Sequence, residues 1–436
     1  MPLLDFQVPL AEAHLKALAD HRLAIGCECT GSGKTFIVCD VARRRGRPLL
    51  VIAPKAVHTQ WRRAAEAMGA GHLLLDVTNP EQIAKPSGCR WYNRRDMWRL
   101  PPGGADIVFD EIHRGASGAK SVTTEAVARL KAYSTTTLTA LSATVAVDPL
   151  KLRALAYWRG LCGYAEHEYY RWCRQYGCTE ISLGDTGRSA FLFTRNRVAA
   201  GAYMREIRAK FGDTLITARA EDIPGFPEEI LQSRLVDLPA EGTAEIAQAY
   251  EAMSERVRAH GRDEMSETVK ERQRVEFLLA DSLASMAADS VEDGNSAVVY
   301  VSFSEPRERV TAMLRERGIT DITEVHGSQS GSERQQGIDR FQANVNRAAV
   351  VNLAAGGCGL SLHDEKHERM RESFLVPSFS ASEFRQALGR TRRAGGTKAV
   401  QNVVIAAGTV MERVGQSVER KLGNLDALLD SDFVPG

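Results

Sequence analysis

The sequence predicts an α/β protein built from two parallel-sheet domains. Short, wholly apolar runs, such as 49–53 and 296–301, alternate with stretches of helical periodicity. This is the pattern of parallel strands that are covered on both faces by helices. The pattern occurs twice, on either side of a mostly helical stretch at about 150–290. At 436 residues, the chain is long enough for two or three domains with real cores.

The composition limits the classes of protein to which the chain can belong. Apolar residues make up 44% and charged residues 25%, which is typical of a globular chain. The net charge of +1 neither favours nor excludes nucleic acid as a partner. The eight cysteines contain no Cys-x-x-Cys pair, so no zinc site or redox motif is indicated. No basic leader and no run of 18 apolar residues is present, and we expect a cytoplasmic protein that is not bound to a membrane.

The strongest local motif is a glycine-rich turn at 26–35, between an apolar strand and a helix. Its core residues are Thr30, Gly31, Ser32, Gly33, Lys34 and Thr35. Such a turn points backbone N–H groups into one concavity, where a polyphosphate fits. Lys34 would reach the β- and γ-phosphates of ATP, and the Thr35 hydroxyl would bind Mg²⁺. The usual pattern has a further glycine six residues before the lysine, where this chain has Glu28. A plain glycine turn is the alternative interpretation.

A glutamine precedes the first helix, which is predicted at 8–22. Gln7 lies 27 residues before Lys34 and could bind the adenine edge through its amide. A solvated polar residue is an equally good interpretation of Gln7.

Two further strands end in polar groups that suit phosphoryl transfer. The apolar strand at 105–109 ends in Asp110 and Glu111. Asp110 would bind Mg²⁺, and Glu111 would orient and deprotonate the attacking water. The strand at 136–141 ends in Ser142 and Thr144, hydroxyls that could relay the state of the γ-phosphate to a bound nucleic-acid strand. Functional groups of parallel sheets gather at the carboxyl ends of the strands, so these groups should meet.

A basic stretch at 85–104 mixes arginines with aromatic residues. Its members include Lys85, Arg90, Arg95, Trp91 and Trp98. The mixture suits phosphates and stacked bases, and it equally suits a solvated arginine face over packed tryptophans.

The second α/β pattern begins at 296 and has no phosphate-binding lysine motif of its own. It ends in a predicted helix that carries Gln386, Arg390 and Arg393. Residues three apart project from one helical face, so Arg390 and Arg393 should point together. Two guanidinium groups suit the charge that develops on a transferring phosphoryl group. We therefore interpret the second domain as a lid over the nucleotide site of the first domain.

The ordered set resembles the superfamily 2 helicases and translocases, and within them the Snf2-like group. The matching segments are 30–35 (motif I), 50–54 with 60–61 (motif Ia), 110–113 in its DExH form (motif II), 142–144 (motif III), 356–361 (motif V) and 386–393 (motif VI). Residues 223–227 look like the Snf2 segment that closes the first lobe. The run 360–364 and the compact size are most similar to phage-encoded DEAD-like helicases. Ser-Ala-Thr at 142–144 departs from the Gly-Thr-Pro that is commoner in Snf2 proteins.

The resemblance implies two RecA-like lobes, at 1–238 with a helical insertion at about 151–215, and at 239–436 with a helical protrusion at about 239–290. It implies ATP and Mg²⁺ as cofactors, Glu111, Gln386, Arg390 and Arg393 as catalytic residues, and a bacterial or phage-infected host cell as the setting. Ser142, Thr144 and Gly359 would couple ATP to nucleic acid. The residues expected to contact nucleic acid are Pro54, Lys55, Thr78, Ser302, Phe303 and Gly356.

The function that follows is a DNA-dependent ATPase that translocates on single- or double-stranded DNA, with RNA as a further possible partner. Replication or recombination proteins are candidate protein partners. The first alternative is a strand-separating DNA or RNA helicase. The second is a nucleic-acid-binding scaffold with weak or no ATPase activity. A nuclease-helicase finds no additional carboxylate or histidine cluster in the sequence to support it.

Overall fold

The computed structural model describes residues 2–93, 95, 97–116, 121–143, 145–146, 148–182, 189–260, 269–353, 360–376, 381–409 and 411–412. The described chain forms two compact units, which divide between Pro224 and Gly225. Each unit contains one six-stranded parallel sheet. The predicted α/β class with two parallel-sheet domains is confirmed.

The first unit is built around a sheet of strand order β10-β1-β7-β6-β2-β3. All neighbouring strands in this sheet are parallel. The remaining strands form two antiparallel hairpins, β4–β5 and β8–β9. The strands are β1 (Leu23–Gly26), β2 (Leu49–Ile52), β3 (Leu74–Thr78), β4 (Tyr92–Asn93), β5 (Met97–Trp98), β6 (Asp106–Asp110), β7 (Thr137–Leu141), β8 (Cys178–Ser182), β9 (Ser189–Phe193) and β10 (Leu215–Ile216).

Nine α-helices are described in the first unit. They are α1 (Gln7–His21), α2 (Lys34–Arg45), α3 (His58–Ala67), α4 (Pro80–Ala84), α5 (Ile112–Gly115), α6 (Val122–Arg129), α7 (Arg153–Arg159), α8 (Glu166–Gln175) and α9 (Arg197–Phe211). Helix α1 packs against β1 and α2. Strands β1, β2 and β7 are buried along their whole length, as expected for central strands of a covered parallel sheet.

The aromatic residues of the insertion lie in the core of the first unit. Trp158, Tyr169 and Trp172 are each no more than 5% exposed and belong to the same apolar cluster as the central strands. The small helical core favoured by the sequence is therefore what these rings form. The β8–β9 hairpin was not predicted. Its two strands show no clear alternation of polar and apolar residues, and the surrounding segments are helical.

The second unit has a sheet of strand order β11-β16-β15-β12-β14-β13, again parallel throughout. Its strands are β11 (Glu229–Val236), β12 (Ser296–Val301), β13 (Ile322–Val325), β14 (Ala348–Asn352), β15 (Arg371–Leu375) and β16 (Ala399–Ala406). Its helices are α10 (Ala240–His260), α11 (Val269–Glu292), α12 (Ser304–Glu316), α13 (Gly331–Gln342) and α14 (Ala381–Leu388). Helix α11 packs against α12 and β12.

The structural division falls earlier than the boundary that we placed at 238. Strand β11 pairs with β16 over eight residues, from Glu229 with Ala399 to Val236 with Ala406. It is therefore the edge strand of the second sheet, a pairing between segments about 170 residues apart that local sequence cannot reveal. Among the described helices, none is long and apolar enough to span a membrane. The described cysteines are free thiols.

Candidate nucleotide-binding site

The glycine-rich turn joins β1 to α2 at the carboxyl edge of the first sheet. Gly31 and Gly33 have φ values of +89° and +84°, a backbone conformation that side-chain-bearing residues rarely adopt. The N–H groups of Cys27 and Cys29 donate to the carbonyls of Ile216 and Ala218 at the end of β10 and just beyond it, at 2.7 and 2.9 Å. The loop is thus fixed along its first half by the neighbouring strand, and it leads directly into the N-terminus of α2.

Lys34 is the first residue of α2, and its ammonium group lies against the loop. Its Nζ donates to the carbonyl of Glu28 at 2.7 Å and to that of Cys29 at 3.1 Å. Thr35 follows, half-buried, at the same helix end. Phosphate oxygens would compete with these two carbonyls for the lysine, because an anion is a stronger partner for an ammonium group than a neutral carbonyl.

Gln7 is buried, with 5% of its surface exposed, and it contacts the glycine-rich turn. Its Nε2 donates to the carbonyl of Ser32 at 2.8 Å, and its Oε1 accepts from the backbone N–H of Leu4 at 2.9 Å. A Cβ atom on Gly33 would overlap the Gln7 amide. The interpretation of Gln7 as a solvated residue is therefore wrong, whereas adenine binding stays a prediction.

Glu28, the residue in place of the usual glycine, forms a buried hydrogen bond with His14 of α1. The His14 Nε2 to Glu28 Oε1 distance is 2.8 Å, and both side chains are at most 1% exposed. Burial by itself disfavours the carboxylate, but His14 and Lys34 outweigh that effect, and the pKa of Glu28 lies below its usual value. Glu28 is therefore ionised in the interior, a role the sequence pattern did not assign to it.

Asp110 and Glu111 lie at the end of β6, at the same sheet edge. Burial and the charge of Glu111 raise the pKa of Asp110, while the Trp61 indole and Lys34 act in the opposite direction. The Trp61 Nε1 donates to Asp110 Oδ2 at 2.9 Å. Glu111 has a left-handed backbone, with φ of +54°, which costs energy for a residue with a side chain. Strained backbone of this kind is concentrated at functional sites.

The end of β7 lies between the glycine-rich turn and the acidic pair. The Ser142 N–H donates to the Gly26 carbonyl at 3.0 Å, and the Ser142 hydroxyl is 2.7 Å from Nδ1 of His113. The same His113 nitrogen lies 3.3 Å from Glu111 Oε2. Ser142 thus connects the phosphate loop with the acidic segment. Thr144 lies outside the described residues.

The donor set fits a magnesium ion. Mg²⁺ prefers carboxylate and hydroxyl oxygens together with phosphate oxygens and water. Two adjacent carboxylates, one with a raised pKa, provide a place where a divalent cation would relieve electrostatic repulsion. Asp110 and Thr35 are the residues that would hold the ion, and both lie near Lys34 at one sheet edge.

The second unit brings Arg390 and Arg393 together, although not as we expected. Helix α14 ends at Leu388, so both arginines lie in the turn that follows it and not on a helical face. The helix stops there because the buried Gln401 amide donates to the Leu388 carbonyl and to the Thr391 hydroxyl. The two side chains are nevertheless neighbours, since both guanidinium groups donate to one carbonyl, that of Leu360, at 3.3 and 2.7 Å.

Gln386 is 4% exposed and lies on α14, close in sequence to these arginines. Gly356 and Gly359, predicted for nucleic-acid contact and coupling, lie outside the described residues. Their roles, and those of Gln386, Arg390 and Arg393 in catalysis, stay predictions.

The residues expected to contact nucleic acid occupy strand ends in both sheets. Pro54 and the exposed Lys55 follow β2, and Thr78 ends β3. Ser302 and Phe303 follow β12 in the second unit. Each therefore lies at the carboxyl edge of its sheet, where loops carry function.

A buried glutamate holds the second of these segments, and sequence reasoning missed it. Glu276 Oε1 of α11 accepts from the backbone N–H groups of Ser302 and Phe303, at 2.6 and 3.2 Å. Its position in a charged helix gave no signal of this contact. Burial raises the pKa of Glu276 to about 7, although the two N–H groups favour the carboxylate.

The basic stretch at 85–104 separates into two parts. Trp91, Tyr92 and Trp98 are at most 7% exposed, and the Trp91 indole donates to Asp76 Oδ2 at 2.9 Å. These rings belong to the core and cannot stack on bases, so the interpretation as a solvated arginine face over packed tryptophans is the correct one. Lys85, Arg90, Arg95 and Arg99 are exposed.

Comparison with known proteins gives a family match in the second unit. Residues 256–395 match the model of the helicase conserved C-terminal domain. A protein of Acanthamoeba polyphaga mimivirus that is named as an ATP-dependent RNA helicase is 23% identical to this chain over 459 residues. That alignment covers 96% of this chain and 82% of the viral protein.

Among solved structures, S. cerevisiae Dbp5 bound to RNA and ADP BeF3 has a TM-score of 0.51 and 12% identity, covering 95% of this chain and 87% of its own. The Sulfolobus solfataricus SWI2/SNF2 ATPase core in complex with dsDNA has a TM-score of 0.39 and 16% identity, covering 99% and 94% of the two chains. The similarity to Dbp5 agrees with the two α/β domains described above and identifies them as RecA-like.

Proposed function

We propose that the chain is an ATP-driven motor of the superfamily 2 helicase type, whose hydrolysis of ATP is stimulated by nucleic acid. The strand order β1-β7-β6 carries this proposal. Because all three strands are parallel, the glycine-rich turn, Ser142 and the Asp110–Glu111 pair occupy neighbouring positions on one edge. That edge offers a phosphate cradle, candidate magnesium ligands and a candidate base together.

Nucleotide binding follows from the turn and from α2. Backbone N–H groups of Gly31 to Thr35 would hold the phosphates, and Lys34 would leave the two loop carbonyls to bind the β- and γ-phosphates. Thr35 and Asp110 would hold Mg²⁺, which when bound neutralises phosphate charge. Gln7 keeps the turn in place and would lie beside the adenine.

Hydrolysis needs a base for the attacking water, and Glu111 is the candidate. Its carboxylate would take the water proton as the water attacks the γ-phosphorus, and ADP would leave as the bond to its β-phosphate oxygen breaks. His113 contacts both Glu111 and Ser142, so the position of Ser142 depends on that of the base. We propose that Ser142, Thr144 and Gly359 couple this step to nucleic acid. In the second unit, Arg390 and Arg393 would stabilise the charge that develops on the phosphoryl group, with Gln386 close to it.

Nucleic acid would bind along the strand ends that carry Pro54, Lys55, Thr78, Ser302, Phe303 and Gly356. Contacts through backbone phosphates carry little sequence information, so binding would be largely independent of sequence. ATP binding and hydrolysis would then alternate two arrangements of the lobes and step them along one strand.

The finer assignment is a Snf2-like translocase on DNA, similar to compact phage-encoded members. The Gln60-Trp61 pair after β2 and the segment 223–227 support this choice, as does the run 360–364. Proteins of the replication or recombination machinery of a bacterium or phage-infected cell would be its partners under this proposal.

A strand-separating RNA or DNA helicase is the second candidate. The mimivirus relative is named as an ATP-dependent RNA helicase, and Dbp5 was solved bound to RNA. Both observations favour RNA as a substrate to be tested beside DNA.

ATP turnover at saturating single-stranded DNA, duplex DNA, forked DNA and RNA tests the proposal. We expect at least one of them to raise turnover several-fold over the value without nucleic acid, with DNA preferred. A preference for RNA would favour the second candidate. In a separate strand-displacement assay, displacement of a triplex strand without unwinding of a fork would favour translocation. Turnover that no nucleic acid changes would contradict the motor.

A further inference from the structure

Helix α1 holds the glycine-rich turn through two buried polar side chains. Its buried face consists of Gln7, Leu10, Ala11, His14, Ala17 and Leu18. Gln7 and His14 are seven residues apart, about two helical turns, and therefore lie on one face. Gln7 binds the end of the turn at Ser32, whereas His14 binds its beginning at Glu28. One rigid helix thus contacts the turn at two points.

The contact at Glu28 is a hydrogen bond between two buried side chains. Its two side chains are 1% and 0% exposed, and they meet at 2.8 Å. Within the described structure, Glu28 Oε2 and His14 Nδ1 have no hydrogen-bond partner. Removal of either member would leave an uncompensated polar group in the interior, which is unfavourable, so the two side chains act as a unit.

Gly26 provides the space for this pair. A Cβ atom there would lie 2.9 Å from both Glu28 Oε2 and His14 Cε1, and 2.7 Å from Leu141 Cδ2. The carbonyl of the same glycine accepts the N–H of Ser142. The pair therefore lies beside Gly26, where the glycine-rich turn, β7 and α1 meet.

The backbone of Glu28 faces the nucleotide side. Its carbonyl accepts from Lys34 Nζ at 2.7 Å, the shorter of the two contacts of that ammonium group. Because the Glu28 side chain bonds to His14 and its carbonyl accepts from Lys34, this one residue links α1 to the lysine.

We propose that His14 and Glu28 are positioning residues that hold the phosphate loop in its nucleotide-binding conformation, in place of the usual glycine. This inference rests on the proposed ATPase function. In this role the pair acts through the loop backbone and Lys34. It sets the affinity for ATP and leaves the rate of the chemical step nearly unchanged.

The test compares His14→Gln, Glu28→Gln, the double variant and Glu28→Asp with the wild type, using a fluorescent ATP analogue and steady-state kinetics. We expect each Gln variant to raise the Kd and the KM about tenfold, a change of roughly 1.4 kcal/mol, with kcat altered less than about twofold. The double variant should lose less than the product of the two single losses, because two neutral amides can bond to each other. Glu28→Asp keeps the charge, is the variant least disruptive to folding, and should show an intermediate loss.

His21→Gln is the matched control, since His21 lies on the same helix and forms an exposed ion pair with Asp213 at 2.8 Å. It should leave Kd, KM and kcat unchanged. Hydrogen exchange of the loop amides gives a readout that needs no nucleotide, and it should be faster in His14→Gln than in His21→Gln. Unchanged exchange, unchanged Kd in Glu28→Asp, or losses that multiply in the double variant would overturn the inference. If the wild type binds no nucleotide but loop exchange is still faster in His14→Gln than in His21→Gln, the ATPase proposal is refuted. The positioning role of the pair would then stand.

Discussion

An indole N–H binds the Asp110 carboxylate at the sheet edge. Trp61 is 1% exposed, and its Nε1 donates to Asp110 Oδ2. If Asp110 holds Mg²⁺ as proposed, this bond would help to orient its carboxylate toward the ion. Groups that orient metal ligands commonly affect metal affinity as strongly as the ligands themselves.

We predict that Trp61→Phe weakens the use of Mg²⁺. The variant keeps an aromatic ring in the core but removes the donor, so Asp110 loses its orientation. We expect the Mg²⁺ concentration for half-maximal turnover to rise about tenfold, at the low end of known effects of such orienting groups. Titration of ATP turnover with Mg²⁺ measures this.

Trp91→Phe is the matched control, because Trp91 donates an equivalent indole bond to Asp76, also at 2.9 Å, away from the nucleotide site. It should lose similar stability without a change in Mg²⁺ dependence. Equal Mg²⁺ dependence of the Trp61 variant and the wild type would contradict a role for this bond.

At the scale of secondary-structure elements, α11 holds the start of α12 through Glu276. The carboxylate accepts two backbone N–H groups while 6% of the residue is exposed. The segment it holds, Ser302–Phe303, is one that we expect to contact nucleic acid. The charged face of α11 includes Arg272, which lies over the Phe303 ring at 5.8 Å and favours the ionised form.

The raised pKa of Glu276 has a defined effect on stability. The folded value of about 7 exceeds the usual 4.5, so the folded state binds the proton more tightly than the unfolded state. Stability from this group is therefore full below pH 4.5 and is lost as the pH rises to 7. The cost of keeping the carboxylate buried above this range is on the order of 3 kcal/mol.

We predict that Glu276→Gln stabilises the protein at about pH 8 and much less at about pH 5, on either side of the raised pKa. The new amide keeps an oxygen that can accept both N–H groups but carries no charge. Denaturant unfolding of variant and wild type at the two pH values measures the difference. Glu305→Gln, on the exposed start of α12, should change neither value. Destabilisation by Glu276→Gln at the higher pH would show that the charge itself is needed.

Local sequence predicts those elements whose signal is local. The central strands end at the polar residues that we expected, since an apolar run followed by Asp110 or by a glycine turn marks its own boundary. The membership of β11 in the second sheet and the hairpin β8–β9 were beyond reach because pairing partners define them. Arg390 and Arg393 lie in the turn after α14 and not on a helix, and the distant Gln401 bonds to the last residue of that helix, Leu388.

The site shows the same division between local and non-local information. The glycine-rich turn and the acidic pair are contiguous motifs and could be named from sequence. The contacts of Trp61 with Asp110 and of His14 with Glu28 join residues 49 and 14 positions apart. The sequence gives a hint in each case, because Glu28 replaces an expected glycine and Trp61 follows soon after a strand. Only the packing identifies the partner of each residue.

At the scale of the whole molecule, the two units contribute different chemistry. The first has the phosphate loop and the acidic pair, and the second has the paired arginines and the helicase C-terminal match. Neither set suffices for a motor, because stepping needs ATP hydrolysis and a second body that responds to it. We therefore propose that one nucleotide site, at Lys34, drives turnover that nucleic acid stimulates.

ATP turnover of the wild type and of Lys34→Ala, each with and without saturating DNA, tests this claim most directly. Loss of the ammonium would remove a partner of the β- and γ-phosphates, and Lys210→Ala, at an exposed position of α9 outside both proposed sites, serves as a folding control. We expect wild-type turnover that rises with DNA, both Lys34→Ala values at background, and DNA binding by the variant within about twofold of the wild type. Lys34→Ala turnover equal to that of the wild type, or wild-type turnover that DNA and RNA both leave unchanged, would contradict it.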